Sequence, residues 1–302
     1  MKPLGGTEIL LQALNKYLGA YWNNDVNLIA SSCKHGLIMP DKKNVIWQQL
    51  DTDQENVQLM SDKTFIDKID YFIYGSNWAY EKYRIFYKIP ENKSIVIKNA
   101  IEPVPFITKP TGKIKLIYTS TPWRGLSVLL DAFEMLNRDD IELDVYSSTI
   151  IYGDGFANLT KGVYDQLFDR AKRMKNVNYM GYATNAGIRK AVQKAHIFAY
   201  PSIFQETSCL SALEAGAAGC KMVVSNFGAL YETCSEWADY VTYTSDKTVL
   251  ADRFSRVLNN AINNYVHGDS IYKEQSDFYN KFWTWENRIP LWKELLNDSY
   301  KW

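Results

Sequence analysis

Several absences narrow the class of this chain. No run of about 18 apolar residues occurs and no charged-then-apolar leader opens the sequence, so neither a membrane span nor a signal peptide is legible and cytoplasm is the expected location. Net charge is absent too, with lysine plus arginine and aspartate plus glutamate at 34 each. No global field therefore draws the chain to nucleic acid, and only a local basic patch is left open. The four cysteines, Cys33, Cys209, Cys220 and Cys234, lack the short paired spacing of a zinc site, and nothing suggests an oxidising compartment; reduced, structural thiols are expected. Without a leader, Asn158-Leu159-Thr160 and Asn297-Asp298-Ser299 carry little weight as glycosylation patterns. Histidine is scarce, at His35, His196 and His267. No Gly-x-Gly-x-x-Gly is present, which argues against a dinucleotide-dependent oxidoreductase on a doubly wound sheet.

What is present favours two α/β domains. At 302 residues and 46% hydrophobic residues, the chain can bury one large core or two modest ones, and two is the expectation. The 21 tyrosines and 9 tryptophans can stack on sugars or line an interface, but most belong in a core. Gly5-Gly6-Thr7-Glu8 opens a helix with Ile9, Leu10, Ala13, Leu14 and Leu18 at helical spacing and Thr7 as its cap. Strand candidates follow at 26–30, 45–47, 71–74 and 94–97. Residues 101–112, with three prolines and a Thr-Gly turn, read as a linker. Beyond it come strand 115–118, helix 126–136, strand 143–147, a helix around 163–174, strand 177–180, helix 188–195 and strand 197–200. That alternation implies a parallel sheet with right-handed crossovers. The sequence ends in Phe282-Trp283-Thr284-Trp285-Glu286 and an amphipathic stretch at 289–296.

The most informative pattern lies between Tyr200 and Gly219. The apolar run 197–200, ended by Pro201, reads as a buried strand running into a loop that carries Glu206. Thr207 or Ser208 can cap a helix through Leu210, Leu213 and Ala217, with Glu214 about two turns along it. A helix start offers an anion site, and the crevice beyond strand ends is where open α/β sheets take ligands. One carboxylate beside a reacting centre and one beside a ribose is the natural division of this pair. On spacing alone, a loop charge and a solvated helix face is the favoured reading of such a pair.

The flanking residues carry more. Pro201, Ser202, Glu206, Glu214, Ala215 and Gly219, followed by the run from Met222 through Gly228 to Glu232, resemble the donor-binding signature of the family 4 retaining glycosyltransferases. The run from Ile117 to Gly125, followed by Leu129-Leu130-Asp131-Ala132-Phe133, resembles that family's basic-residue-glycine motif. The resemblance implies the α/β GT-B fold, two Rossmann-like domains facing a cleft, here with a shortened N-terminal domain that lacks an evident first strand. Residues 1–105 would form the acceptor-side domain and 106–285 the nucleotide-sugar domain, with a C-terminal helix at about 286–302 packing back on the first. Only residues 1–4 precede Gly5, so the first strand is expected to be dispensed with, rebuilt from elsewhere or supplied by a partner chain.

The same resemblance implies the chemistry: a sugar moved from a nucleotide-sugar donor, UDP- before GDP-, to a hydroxyl acceptor such as a glycan, with no metal and no other cofactor. Arg124 would hold the donor diphosphate, with Thr121 adding a neutral hydrogen bond. Gly5 and Gly6 would let backbone approach the donor. Glu206 would take the sugar hydroxyls, with the backbone of Thr207, Ser208, Cys209 and Leu210 nearby, and Glu214 the ribose. Ser147, Gly181 and Tyr182 would contact the nucleobase. Asn99 matches the family's asparagine before the linker, or equally fixes a turn with its own amide. Gln49 stands, with Gln48, where some relatives carry histidine, and Cys209 where glycine is commoner; a packing role is favoured for the thiol. A second basic residue, usual five positions before Arg124, is here Thr119. No general base is evident, so the departing phosphate oxygen is expected to take the acceptor's proton. Asp51-Thr52-Asp53 imitates the metal-diphosphate signature of metal-dependent glycosyltransferases but is expected to be fortuitous. The alternative is a catalytically weak or inactive GT-B nucleotide-binding scaffold. Nucleic acid is not an expected partner, whereas a peripheral membrane contact and a homo-oligomer are left open.

Overall fold

The computed structural model describes residues 5–21 and 25–297. The stretch 1–4, and with it the expectation about a first strand, lies outside the described residues, as do residues 298–302 at the end of the expected C-terminal helix. The chain divides into two compact units. One comprises Gly6–Glu102, Glu206–Ser208 and the C-terminal segment from Trp283; the other comprises Gly5, Pro103–Gln205 and Cys209–Phe282.

The first unit contains α1 (Gly6–Leu18), β1 (Val26–Ala30), β2 (Lys43–Gln48), α2 (Lys63–Ile66), β3 (Tyr71–Tyr74), α3 (Asn77–Tyr87) and β4 (Ser94–Val96). Its strands pair in parallel in chain order, β1-β2-β3-β4. Five of the six residues of β2 are buried, as expected for a parallel strand covered on both faces. In α1 the buried residues are Leu10, Ala13, Leu14 and Leu18. The helix already begins at Gly6, so Thr7 lies in its first turn and is not the cap expected of it. Helix α3 was not anticipated. Its signal is nonetheless local: Ser76 accepts from the Ala79 N–H as N-cap, and Ala79, Tyr83 and Tyr87 bury one helical stripe. The C-terminal segment is stitched to β4's exit by Ile101 N–H donating to the Trp283 carbonyl at 2.9 Å and Arg288 Nε donating to the Lys98 carbonyl at 3.0 Å.

The second unit follows with β5 (Ile114–Thr119), α4 (Leu126–Leu136), β6 (Ile141–Tyr146), α5 (Asp154–Leu159), α6 (Asp165–Arg173), β7 (Val177–Tyr179), α7 (Asn185–Lys194), β8 (Ile197–Tyr200), α8 (Leu210–Ala217), β9 (Lys221–Ser225), α9 (Leu230–Cys234), β10 (Ala238–Val241), α10 (Lys247–Asn263) and α11 (Ser270–Phe282). The last helix, α12 (Ile289–Leu296), belongs to the first unit, where Trp292 stands edge-on to Trp47 with ring centroids 4.9 Å apart. The sheet of the second unit is parallel throughout, in the order β10-β9-β8-β5-β6-β7. Strand order runs outward in one direction from β5 and in the other from β8, so their shared boundary is the topological switch point. That is where a doubly wound sheet opens a crevice at its carboxyl edge. Neither α10 nor α11 was anticipated, although Asp246 caps α10 by accepting from Thr248 and Val249. No helix among the described residues is long and apolar enough to cross a membrane.

Candidate functional site

At the switch point β5 leaves the sheet through Thr119, Ser120 and Thr121 into one tight turn, Pro122–Arg124, before α4 begins. The turn is held from several sides. Tyr118 Oη donates to the Thr121 carbonyl at 2.7 Å, Arg124 N–H to the same carbonyl at 3.2 Å, and Ser211 Oγ, from the first turn of α8, to the Thr119 carbonyl at 2.7 Å. Gly125 has φ +119°, and a Cβ there would lie 2.2 Å from the carbonyl oxygen of Pro201. Glycine is thus required where the chain leaving β5 crosses the chain leaving β8. Arg124 is half-buried, its guanidinium 4.3 Å from the centroid of the Phe204 ring, a cation–π contact that orients the group.

Around this turn, polar groups collect at strand ends. The hydroxyls of Thr119, Thr121, Ser147 and Ser225 are buried and have no hydrogen-bond partner among the described residues. Each sits at or just past the carboxyl end of β5, β6 or β9. A buried hydroxyl left unpaired costs about 1–3 kcal/mol, so four along one sheet edge mark a surface suited to a polar ligand. Beyond β7, Gly181 has φ +64° and Tyr182 is 38% exposed. Ser225 was not singled out from sequence, although its place at the end of an apolar strand could have flagged it.

Glu214 lies in α8, its side chain 17% exposed and Oε1 3.5 Å from Nη1 of Arg189 in α7. Burial pushes the Glu214 carboxyl up to about 7, with Arg189 pulling in the opposite direction. Nothing in the sequence relates Arg189 to Glu214. The expected cap of α8 is corrected: the helix starts at Leu210, its N-cap is Cys209, and no side chain caps it. Cys209, like the other three cysteines, is buried and not disulfide-bonded.

Thr207 and Ser208 do other things in the first unit. Thr207 Oγ1 donates to the Gln49 carbonyl at 2.9 Å, while the Ser208 hydroxyl is buried without a partner among the described residues. Glu206 is 2% exposed. Gln49 and Asn99 pair through their amides, Nε2 to Oδ1 at 3.1 Å and Nδ2 to Oε1 at 2.7 Å. Gly6 opens α1, and Gly5 is buried. Asp51 is committed to the fold, accepting from Lys82 Nζ and from Thr52 N–H, both at 2.7 Å. Among the described residues no group of three or more His, Cys, Asp or Glu side chains is placed to hold a metal ion. His196 is structural: Lys115 N–H donates to Nδ1 at 2.8 Å, Nε2–H faces the Pro110 carbonyl at 2.9 Å, and burial lowers its pKa.

The switch-point turn, the strand-end hydroxyls and Glu214 all fall in one stretch of chain. Residues 114–260 match the family described as glycosyl transferases group 1. The chain has the α/β GT-B fold, as similarity to solved structures shows. A glycosyltransferase from Rickettsia africae superimposes with a TM-score of 0.66 at 15% identity, covering 98% of this chain and 82% of that one. Sucrose-phosphate synthase from Thermosynechococcus elongatus gives 0.68 at 15% identity, covering 97% and 78%. The Anabaena protein HepE, solved with UDP and glucose, gives 0.69 at 14% identity, covering 98% and 84%. No curated protein matches the sequence significantly.

Proposed function

We propose that this protein is a retaining, metal-independent glycosyltransferase of family 4 type, moving a sugar from a nucleotide sugar, UDP- before GDP-, to a hydroxyl of a glycan-like acceptor. The observation that carries this reading is the carboxyl edge of the second unit's sheet, where Arg124, the buried hydroxyls of Thr119, Thr121 and Ser147, and Glu214 lie in the segment that matches group 1 glycosyl transferases. The UDP and glucose bound to the structurally similar HepE support a UDP donor.

In this reading Arg124 and the hydroxyls stabilise the diphosphate as the bond from the anomeric carbon to its oxygen breaks. Glu214 accepts from the ribose hydroxyls, and Glu206 from those of the sugar. The acceptor oxygen forms the new bond to the anomeric carbon on the face from which the phosphate departs, and its proton passes to the phosphate oxygen. No side-chain base is then required.

A screen of UDP-, GDP- and ADP-sugars for release of the nucleoside diphosphate tests the proposal. One donor should turn over, and Glu206→Ala should slow it by about 100-fold through loss of charge-assisted hydrogen bonds to the sugar. Nucleotide binding with no turnover across a broad acceptor panel would instead establish the scaffold reading.

Glu214 adds a pH signature. Its folded value of about 7 lies above the ordinary 4.5, so its contribution to stability is full below about pH 4.5 and lost as pH rises through about 7. The ionised carboxylate is the better acceptor for two ribose hydroxyls, and a nucleotide sugar has no phosphate that titrates near neutrality. Donor affinity should therefore rise about tenfold from about pH 6 to pH 8, with proton release. Titration calorimetry in buffers of different ionisation enthalpy measures both, and Glu214→Gln should abolish the pH dependence.

A further inference from the structure

The triplet Glu206–Ser208 belongs to the first unit, and there Thr207 is gripped at both ends. Its hydroxyl donates to the Gln49 carbonyl at 2.9 Å, and its own carbonyl accepts from Ser76 Oγ at 2.6 Å. Ser76 Oγ also accepts from the Ala79 N–H at 3.0 Å, so the atom that caps α3 is the atom that holds Thr207. The other end is equally constrained. The Gln49 side chain is locked to Asn99 by the reciprocal amide pair, and Asn99 lies so close to Gly75 that a Cβ on that glycine would sit 2.8 Å from Asn99 Nδ2. Ser76, Asn99, Glu206 and Thr207 are 2%, 3%, 2% and 7% exposed. The two bonds made by Ser76 Oγ are thus shielded from competing water, while those at Gln49 are partly buried.

We propose that Ser76 and Thr207 are positioning residues that set the carboxylate of Glu206, with Gln49 and Asn99 forming the rigid backing of the clamp and not a contact to the acceptor. The inference rests on the reading of Glu206 as the ligand of the transferred sugar. Glu206 is one residue from the doubly held Thr207, so its backbone cannot shift while both bonds stand. The N-cap of α3 fixes where Ser76 Oγ can be, and that oxygen fixes the Thr207 carbonyl. A neighbouring serine hydroxyl, that of Ser208, is buried with no partner among the described residues, which leaves it able to serve a bound sugar. In this proposal Thr207, whose backbone is expected from sequence to lie near the donor, also acts through Glu206.

The test separates turnover from nucleotide binding, because the residues proposed for the nucleotide lie in the second unit. Thr207→Val keeps the shape and removes the donated bond. It should lower kcat about 10- to 100-fold, the scale on which displacing a reacting group by about 1 Å acts, while the Kd for UDP stays within about twofold. Thr207→Ser and Ser76→Thr keep the hydroxyls and should recover most of the turnover. Ser76→Ala should lower kcat comparably, and the double variant Ser76→Ala/Thr207→Val should be no slower than the slower single one, since both act through one clamp. Unchanged kcat in Thr207→Val with normal UDP binding would overturn the clamp alone. Parallel loss of UDP affinity would overturn it in favour of direct donor contact. A wild-type protein that turns over no nucleotide sugar would overturn both this inference and the activity beneath it.

Discussion

Replacing Arg124 with alanine is expected to slow glycosyl transfer about a thousandfold, the loss that follows removal of one strong donor from the site of developing charge. In the proposed reaction negative charge grows on the diphosphate as its bond to the sugar breaks, and a site that meets it with few cations depends heavily on each one. Thr119 stands where a second basic residue is usual in the resembled family, and it offers only a neutral hydroxyl. Ser120 lies within 3.3 Å of Tyr200 Oη, and the Thr121 hydroxyl is again neutral. A thousandfold corresponds to about 4 kcal/mol of transition-state stabilisation, more than two neutral hydrogen bonds supply. Arg124→Lys should recover only part of the rate, because an ammonium cannot reproduce the two-pronged contact proposed for the guanidinium on the diphosphate. Steady-state kinetics with the selected donor, alongside unfolding in urea, checks this. A rate within tenfold of wild type in a folded Arg124→Ala would remove Arg124 from the mechanism.

The next residue carries the largest expected effect on stability. Gly125→Ala should destabilise the protein by about 3 kcal/mol or more, from two causes that add. The backbone sits at φ +119°, where L-residues are strained, and the new Cβ would meet the Pro201 oxygen at 2.2 Å and its carbonyl carbon at 3.0 Å. Neither side yields easily. Pro201 is buried and continues from β8, all of whose residues are buried, while Gly125 is followed directly by the buried Leu126 and by Val128, Leu129 and Leu130 of α4. Relief by moving the turn would carry Arg124 with it, so the surviving folded protein should also lose turnover. A shift in the urea midpoint equivalent to less than about 1 kcal/mol would show that the crossing is looser than this.

Where the sequence was read well, short-range physics carried the signal. The strand at 197–200 is an apolar run stopped by proline, and β8 spans Ile197–Tyr200. The amphipathic run before Ala217 placed Glu214 on a helix, and α8 spans Leu210–Ala217. Two helix starts differ from expectation by a choice among adjacent residues. Thr7 was preferred over Gly6 at a helix start, and Thr207 or Ser208 over Cys209 at another. Good capping side chains were available locally, but Thr207 found a stronger commitment 158 residues away, at Gln49. Helices α3, α10 and α11 were passed over although Ser76 and Asp246 announce the first two.

By itself, then, the sequence determined the alternation of parallel strands and helices, the residues of the strand-end motifs, and the glycine that follows Arg124, because periodicity, turn chemistry and motif spacing act between neighbours. Only the tertiary structure decided what that glycine avoids, which hydroxyls are buried without partners, that Arg189 faces Glu214, and that Thr207 is tied to Ser76 across 131 residues. The physical reason is that each of these depends on desolvation and on the approach of groups distant in the chain. Neither exists until the sheets and helices have packed.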